Sequence, residues 1–262
     1  MSGHRLDHIL VFACLAIATA AYGQEAGRVR RGGVAQRPNL SEAVDLIVRR
    51  TNEFRKEDGR RDVKVDAKLA DTARYFADYM ARTDEYGHSA DGSRAGDRAK
   101  KHGYQYCVIA ENIAYEYNSA GFGTAELAKK FFEGWKNSPE HRKNILDPDV
   151  TGTGVAIARS EKSGYYYAVQ IFGRPEADRI KFRITNQLGV PTPYEIEGRS
   201  YTLAPSYTRV HELCRPSELT LLPPSDKTEN QKASVQKVSP KNGDQYNVIA
   251  EMTGEVRIVK DQ

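Results

Sequence analysis

The sequence predicts an α+β protein in which a helical first half is followed by a small β-rich C-terminal module. Two observations lead to this prediction. Within residues 69–80, apolar side chains recur at three- and four-residue steps, which is the spacing of an amphipathic helix. Within residues 180–184, apolar and charged side chains alternate, which is the pattern of a half-buried strand.

Composition bounds the size and class of the protein. A chain of 262 residues, 39% hydrophobic and 28% charged, fits a globular protein with one large domain or two modest ones. The formal net charge of +4 is mild. It favours adhesion to anionic envelope polymers but does not argue for binding of nucleic acid.

Residues 1–23 have the features of a signal peptide. A basic start precedes an apolar run at residues 9–21, which is too short to span a bilayer, and small residues at Ala21 and Gly23 place cleavage before Gln24. The alternative is an uncleaved anchor. Lipid attachment at Cys14 is disfavoured because this cysteine lies inside the apolar run. The mature chain is therefore expected to be secreted or periplasmic, and no later stretch is long and apolar enough to cross a membrane.

Residues 24–38 are expected to form a flexible leader before the first two helices. Asn39 or Ser41 caps the first helix, which ends near residues 58–59. Asp66 begins the second helix, which stops before residue 87 and leaves His88 on the following loop.

A short third helix, capped by Ser93, is predicted before a strand at residues 107–115 that contains Glu111. A carboxylate in an apolar strand must face a polar cleft or a partner, because burying it unpaired is costly. Thr124 is expected to cap a fourth helix, whose apolar side includes Trp135.

The sequence from Ser138 through Pro139 to Glu140 is typical of another helix start, with serine as the cap, proline in the first position and an acid in the first turn. This places His141 near the third position. The positive helix terminus disfavours a charged imidazole there, so we expect a neutral ring. Two strands at 153–159 and 165–172, joined by a turn at 161–164, complete the first domain.

The hydrophobic pattern of the sequence changes after residue 174. Short alternating segments predict a small β module at residues 175–222. Residues 223–262 are interpreted as a polar linker followed by a terminal hairpin around Thr253 and Gly254.

Cys107 and Cys214 are the two cysteines of the mature chain, and an exported protein with one pair invites a disulfide. The alternative is two free thiols. A metal site built on both is disfavoured, because neither has a cysteine or histidine nearby at ligand spacing. The bond would dock the β module near Glu111, where it could roof or flank the cleft.

Three motifs resemble the CAP superfamily, the group of cysteine-rich secretory proteins, insect venom antigens and plant pathogenesis-related proteins, in its shorter bacterial form. The motifs are Gly-His-Ser at 87–89, Ala-Glu-Asn-Ile at 110–113, and residues 135–146, followed by Gly-Thr-Gly-Val-Ala at 152–156. The resemblance covers the domain at 39–174 and implies a three-layer α-β-α sandwich.

The resemblance also implies a cleft, which in the eukaryotic members of the family is lined by two histidines and two glutamates. His88 matches the first histidine, Glu111 the first glutamate and His141 the second histidine. Ser138 stands in the place of the second glutamate, and neither Glu133 nor Glu140 fits the motif.

These matches make His88, Glu111 and His141 the candidate catalytic residues, and His88 and His141 the candidate ligands of a divalent metal such as Zn²⁺. Because a glutamate is missing, we expect such a site to be weak or absent. The structural alternatives are a His88 that only hydrogen-bonds its loop, a Glu111 that receives structural donors, and a His141 that bonds Glu111 directly. Ser138 is more plausible as a helix cap than as a nucleophile.

Three function classes remain open. The favoured one is a secreted, non-catalytic binding module for a lipid, glycan or protein ligand. The second is a hydrolase in which histidine and glutamate activate water against an extracellular or cell-wall substrate. The third is an envelope structural or adhesive protein. No Ser-His-Asp or Cys-His motif in a recognisable context supports covalent catalysis.

Overall fold

The computed structural model describes residues 37–222 and 235–261. The expected signal peptide, the leader up to residue 36 and residues 223–234 of the polar linker lie outside the described residues. Among the helices within the described ranges, none is both long and apolar enough to cross a membrane.

The first domain consists of five helices and four strands. The helices are α1 (Leu40–Glu57), α2 (Ala67–Thr83), α3 (Ala95–Lys101), α4 (Thr124–Asn137) and α5 (Pro139–Ile145). The strands are β1 (Lys64–Val65), β2 (Tyr106–Glu116), β3 (Gly152–Arg159) and β4 (Tyr166–Pro175). They form one sheet in the order β1-β3-β4-β2, with β2, β4 and β3 antiparallel and β1 parallel to β3.

The sheet is the middle layer of a three-layer sandwich. Alternate residues of β3 belong to different cores. Val155 and Ile157 pack with α1 and α4, whereas Ala156 and Ala158 pack with α2. Both faces of the sheet are therefore covered by helices, and β3 is apolar and buried along almost its whole length.

Two helix starts differ from the sequence prediction. Gly123, not Thr124, occupies the cap position of α4, and the Thr124 hydroxyl instead accepts a hydrogen bond from the Asn39 N–H at 3.0 Å. Arg94, not Ser93, is the cap residue of α3, because the Ser93 hydroxyl donates to the Asp91 carboxylate at 2.8 Å. The hydroxyl that was expected to cap each helix therefore makes a different hydrogen bond.

Helix α2 lies unusually close to strand β3. A Cβ atom placed on Gly154 would come within 2.1 Å of the backbone carbon of Leu69. Only glycine permits this approach, so Gly154 sets the distance between the sheet and α2.

The C-terminal module is a sandwich of two four-stranded sheets. Its strands are β5 (Ile180–Asn186), β6 (Thr192–Ile196), β7 (Arg199–Leu203), β8 (Thr208–Leu213), β9 (Leu219–Leu221), β10 (Gln236–Val238), β11 (Gln245–Ala250) and β12 (Val256–Lys260). One sheet has the order β10-β9-β6-β7 and the other β12-β11-β5-β8. A shared apolar core that includes Phe182, Tyr194 and Val248 lies between them.

The module therefore extends beyond Leu222, where the sequence placed its end. The terminal hairpin is present as the antiparallel pair β11–β12, and β11 also pairs in parallel with β5. The module extends this far because β11 pairs in parallel with β5. This pairing completes the second sheet and joins segments about 60 residues apart.

The disulfide between Cys107 and Cys214 is confirmed, with the two Cα atoms 4.9 Å apart. Next to it, Arg215 forms a two-pronged contact with the Asp147 carboxylate at 2.8 Å and reaches Asp149 at 2.7 Å. Burial raises the pKa of Asp147, but hydrogen bonds from Arg215 and from the Asp149 N–H outweigh it and hold the pKa low. One covalent bond and one ion-pair cluster thus attach the module to the first domain.

Candidate functional site

Glu111 is the centre of the candidate site. It lies on the edge strand β2 and is only 8% exposed. Its Oε1 is 2.8 Å from Nδ1 of His88, and its Oε2 accepts a hydrogen bond from Nη2 of Arg98 at 2.7 Å. Both oxygens of the carboxylate therefore have a partner, and these contacts offset the desolvation free energy of burying the charge.

His88 lies on the loop between α2 and α3, as predicted, and its side chain is 58% exposed. When Glu111 is ionised, Nδ1 of the ring carries the hydrogen and its N–H donates a hydrogen bond to the carboxylate. In the neutral ring this leaves Nε2 with a free lone pair, so Glu111 fixes both the orientation and the tautomer of His88.

Arg98 is a site residue that the sequence analysis missed. Its side chain is 1% exposed, and its guanidinium carbon lies 3.5 Å from the centre of the Phe76 ring. Besides Glu111 it donates to the Asp91 carboxylate at 2.8 Å and to the His88 carbonyl at 3.1 Å. The same cation therefore neutralises two carboxylates and holds the backbone of His88.

Asp91 completes this buried charge cluster. Burial raises the pKa of its carboxyl, but hydrogen bonds from Ser93 and the contact with Arg98 outweigh burial, and the pKa is lowered. Asp91, Arg98, Glu111 and His88 thus form one continuous chain of alternating partners.

His141 lies in the first turn of α5, at the third position, as the sequence predicted. Burial lowers the pKa of its imidazole, and the nearby His88 lowers it further, while Glu140 acts in the opposite direction. The predicted neutral ring is supported, although the main cause is burial. A cleft shared by His88 and His141 stays a prediction of the resemblance.

The direct bond between His141 and Glu111 that we considered as an alternative is replaced by backbone contacts. Asn144 donates to the carbonyl of Glu111 at 3.2 Å and to the side-chain oxygen of Asn112 at 2.9 Å. The amide of Asn112 in turn lies 3.3 Å from the His141 carbonyl. Helix α5 is therefore attached to β2 by asparagines of the recognised motifs.

Ser138 joins α4 to α5 and has a structural place. Its N–H donates to the Trp135 carbonyl at 3.2 Å, and its carbonyl accepts from the Arg142 N–H at 2.8 Å. It occupies the cap position of α5, although its side chain makes no capping hydrogen bond. Glu140 acts on the His141 pKa and is exposed on the first turn.

The side chains at this site do not supply the ligands of a zinc site. Catalytic zinc usually has three protein ligands, and both oxygens of Glu111 are engaged by His88 and Arg98. Across the described ranges, no group of three or more histidine, cysteine, aspartate or glutamate side chains is arranged to hold a metal ion. Metal binding by His88 and His141 stays a prediction that rests on two imidazoles.

A cleft of about 690 Å³ opens beside this charge cluster. It lies between the loop that follows α2, the start of α3, and strand β2. Its polar lining includes His88, Arg94, Asp97, Tyr106 and Glu111.

The β module does not line this cleft, contrary to the prediction that it would roof or flank it. All the lining residues lie between positions 88 and 111. A register shift in β2 at Cys107 explains the difference, because it places Cys107 against the α1 and α4 core, on the face of the sheet opposite the α2 core.

Trp135 and the three tyrosines at 165–167 divide into two groups by burial. Trp135 is buried and donates to the Ile113 carbonyl at 3.2 Å, and Tyr166 and Tyr167 are buried in the two cores. Tyr165 is half-exposed. Packing therefore accounts for Trp135, Tyr166 and Tyr167.

Comparison with known proteins identifies the first domain. Residues 48–172 match the family described as "CAP: Cysteine-rich secretory protein family". The chain is 32% identical over 129 residues to the uncharacterized protein YkwD of Bacillus subtilis, which covers 49% of this chain and 46% of that relative. The match thus spans about half the length of each protein.

Two solved structures are similar to about half of the chain. An outer surface protein of Borrelia burgdorferi is 18% identical, with a TM-score of 0.45, covering 51% of this chain and 93% of that one. An extracellular protein containing an SCP domain from Bacillus anthracis is 26% identical, with a TM-score of 0.43, covering 52% and 41% respectively. The motifs around His88, Glu111 and His141 fall within the matched family region, and the chain therefore contains a CAP-superfamily domain of the bacterial type.

Proposed function

We propose that this protein is exported and that its CAP domain is a non-catalytic binding module, which holds a polar ligand in the cleft beside His88. Export is supported by the signal-peptide features of residues 1–23 and by the disulfide between Cys107 and Cys214. Disulfides form and persist in oxidising compartments outside the cytoplasm.

The observation that carries the proposal is the full engagement of Glu111. A carboxylate that acts as a general base needs an oxygen within hydrogen-bond reach of the proton it removes, whereas the Glu111 side chain is only 4% exposed. Here one oxygen is bonded to His88 and the other to the buried Arg98. Glu111 therefore acts as a positioning group, and the cleft presents a fixed imidazole to a ligand.

The lining of the cleft favours a polar ligand over a lipid tail. Four of its side chains, those of His88, Arg94, Asp97 and Glu111, carry ionisable groups, and Tyr106 adds a hydroxyl. Such groups bind hydroxyls and amides well and bind hydrocarbon poorly. Of the three ligand classes considered, a glycan or a peptide fits better than a lipid.

Histidine-detected NMR of the mature chain tests this proposal. The probes are an N-acetylglucosamine tetramer, an alanine tripeptide and phosphatidylglycerol vesicles. We expect one of the polar probes to shift the imidazole signals of His88, and the vesicles to leave them unchanged. In wild type the same probe should also shift the backbone amide signals of the cleft residues, and the His88→Gln variant should lose these amide shifts. A shift caused by vesicles alone, or no shift with any probe, contradicts the proposal.

A hydrolase remains the second candidate, because a carboxylate that orients an imidazole is also the arrangement of a general-base histidine. Incubation with purified peptidoglycan, followed by assays for new reducing ends and new amino groups, separates the two functions. A hydrolase would lose about 10²- to 10⁴-fold in rate with His88→Gln. A binding module should release no product above the level of the variant.

A further inference from the structure

Four tyrosines form a continuous exposed surface at the end of β2 that the cleft does not include. This tyrosine surface consists of Tyr86, Tyr115, Tyr165 and Tyr117. Neighbouring ring centres are 4.8 Å apart for Tyr86 and Tyr115, 5.4 Å for Tyr115 and Tyr165, and 5.2 Å for Tyr165 and Tyr117. Tyr86, Tyr115 and Tyr117 are 46%, 49% and 53% exposed.

The rings are held in place by the fold beneath them. Tyr115 lies opposite the buried Tyr167 in the β2–β4 pair, and the Tyr167 hydroxyl donates to Asp84 at 3.2 Å. The Tyr86 hydroxyl donates to the Ile113 carbonyl at 3.2 Å. A surface that is already ordered loses little conformational entropy when it binds a ligand.

Tyr117 rests on the β3–β4 turn. A Cβ atom added to Gly164 would lie 3.5 Å from the Tyr117 ring, and Gly164 has a φ of +77°. Glycine is suited to this left-handed turn position, and the turn supports the ring of Tyr117.

Exposed large apolar side chains of the first domain are concentrated in this surface. Among the described residues 37–175, the large apolar side chains that are exposed are Val65 and three of these tyrosines. Scattered exposed apolar residues are ordinary, whereas contacting ones mark a binding surface. Tyrosine combines an apolar ring face with a hydroxyl, which suits a ligand that has both C–H faces and hydroxyls, such as a sugar.

The charge beside the tyrosines narrows the ligand class. A second cleft, of about 260 Å³, adjoins Tyr117 and is lined by Arg37, Arg159, Lys162 and polar residues. Glu161 is the acid among its described lining residues, and it pairs with Arg159 at 3.2 Å. Arg37 and Lys162 therefore give this cleft a net positive charge, which complements an acidic ligand.

We infer that the tyrosine surface binds an acidic polysaccharide. Sugar rings stack on Tyr115 and Tyr117, and the carboxylates of the chain lie near Arg37 and Lys162. The rings meet edge to face and form ridges beside an open polar cleft. This shape suits an extended chain better than the buried anchor side chains of a protein partner. The inference is independent of the ligand proposed for the His88 cleft.

Affinity electrophoresis of the mature chain in gels containing polygalacturonate, with neutral dextran for comparison, tests the inference. We expect polygalacturonate to retard the wild type and dextran to leave its mobility unchanged. The double variant Tyr115→Ala/Tyr117→Ala should bind about tenfold or more weakly, because two stacking rings are removed. Lys162→Gln should weaken binding and reduce its sensitivity to salt.

Tyr207→Ala is the matched control, because Tyr207 is 53% exposed like Tyr117 but lies in the β module. It should bind like the wild type. A measurement on the unmodified chain guards against misfolding of the double variant: the ring proton signals of Tyr115 and Tyr117 should shift when a galacturonate oligomer is added. Equal retardation of the wild type and the double variant, equal binding of dextran, or the absence of both retardation and shifts overturns the inference. The last outcome is the one expected of a protein-binding surface.

Discussion

At the scale of single residues, the candidate site depends on a buried cation. Arg98 bonds Glu111, Asp91 and the His88 carbonyl from a position that is almost inaccessible to solvent. Each of the two carboxylates that it contacts would otherwise be buried without a full counter-charge. The orientation of His88 is therefore a consequence of Arg98 acting through Glu111.

Replacing Arg98 with methionine should lower the free energy of unfolding by about 3–5 kcal/mol, because it leaves two buried carboxylates without their cation. Arg74→Met is the control: Arg74 also pairs with an aspartate, Asp71, but the two side chains are 65% and 54% exposed. Its effect should stay within about 0.5 kcal/mol. Urea unfolding followed by circular dichroism measures both, and similar losses in the two variants would contradict the role given to Arg98.

The His141 pKa gives a second prediction. Burial and the neighbouring His88 lower this pKa below its ordinary value of 6.5. Because the unfolded chain then binds more protons than the folded one, stability is present above pH 6.5 and falls as the pH drops towards the folded pKa.

An NMR titration of the wild type should show His141 titrating below 6.5, and His88→Gln should raise this pKa because the electrostatic effect of His88 is removed. Urea unfolding should give lower stability at pH 5.5 than at pH 7.5, and His141→Gln should reduce the difference. A wild-type His141 that titrates above 6.5 would be incompatible with its burial.

Sequence reasoning located part of this site and missed the rest for a physical reason. His88 and Glu111 were recognisable because their motifs resemble a family. Arg98 carries no such signal, since an arginine on a short polar helix ordinarily faces solvent. Its burial depends on the loop before α3 folding back, so that the carbonyl of Ser93 accepts from Arg98 at 2.7 Å.

At the scale of elements, one glycine sets the packing of α2 on the sheet. Gly154 faces the backbone of Leu69 and Ala70 at distances that exclude any side chain. Sequence periodicity correctly indicated α2 and β3, but it contains no information about how closely two backbones approach.

Gly154→Ala should destabilise the protein by about 3 kcal/mol or more, because α2 and β3 must separate to admit the methyl group. Gly134→Ala is the matched control. Gly134 is exposed within α4, and a Cβ atom there meets nothing within 4 Å. This change should stabilise the protein by about 0.5–1 kcal/mol. Thermal unfolding of the two variants measures the contrast, and two shifts of the same sign would refute the close-packing argument.

At the scale of the whole molecule, the first domain was more predictable than the module behind it. The helices and strands before residue 175 follow local periodicity, and a resemblance supplied their layering. The second sheet of the module requires β11 to pair with β5 across a long intervening segment. Such a pairing is decided by the shared core around Phe182 and Val248, which local pattern does not reveal.

Removing the disulfide should destabilise the molecule by about 4–5 kcal/mol in the chain-entropy account, because it closes a loop of about 107 residues. Thermal unfolding of a Cys107→Ser/Cys214→Ser variant, with the reduced wild type for comparison, measures the effect. The reduced wild type should behave like the variant. A variant as stable as the oxidised wild type would show that the cross-link adds nothing to the folded state.

The same bond makes residues 107–214 a covalent ring. Glu111 and His141 lie inside the ring, whereas His88 and Arg98 lie on the chain that leads into it. A protease that cuts the exposed turn at Glu161 and Lys162 opens the ring without releasing a fragment. The nicked protein would migrate as one species on a non-reducing gel and as two on a reducing gel.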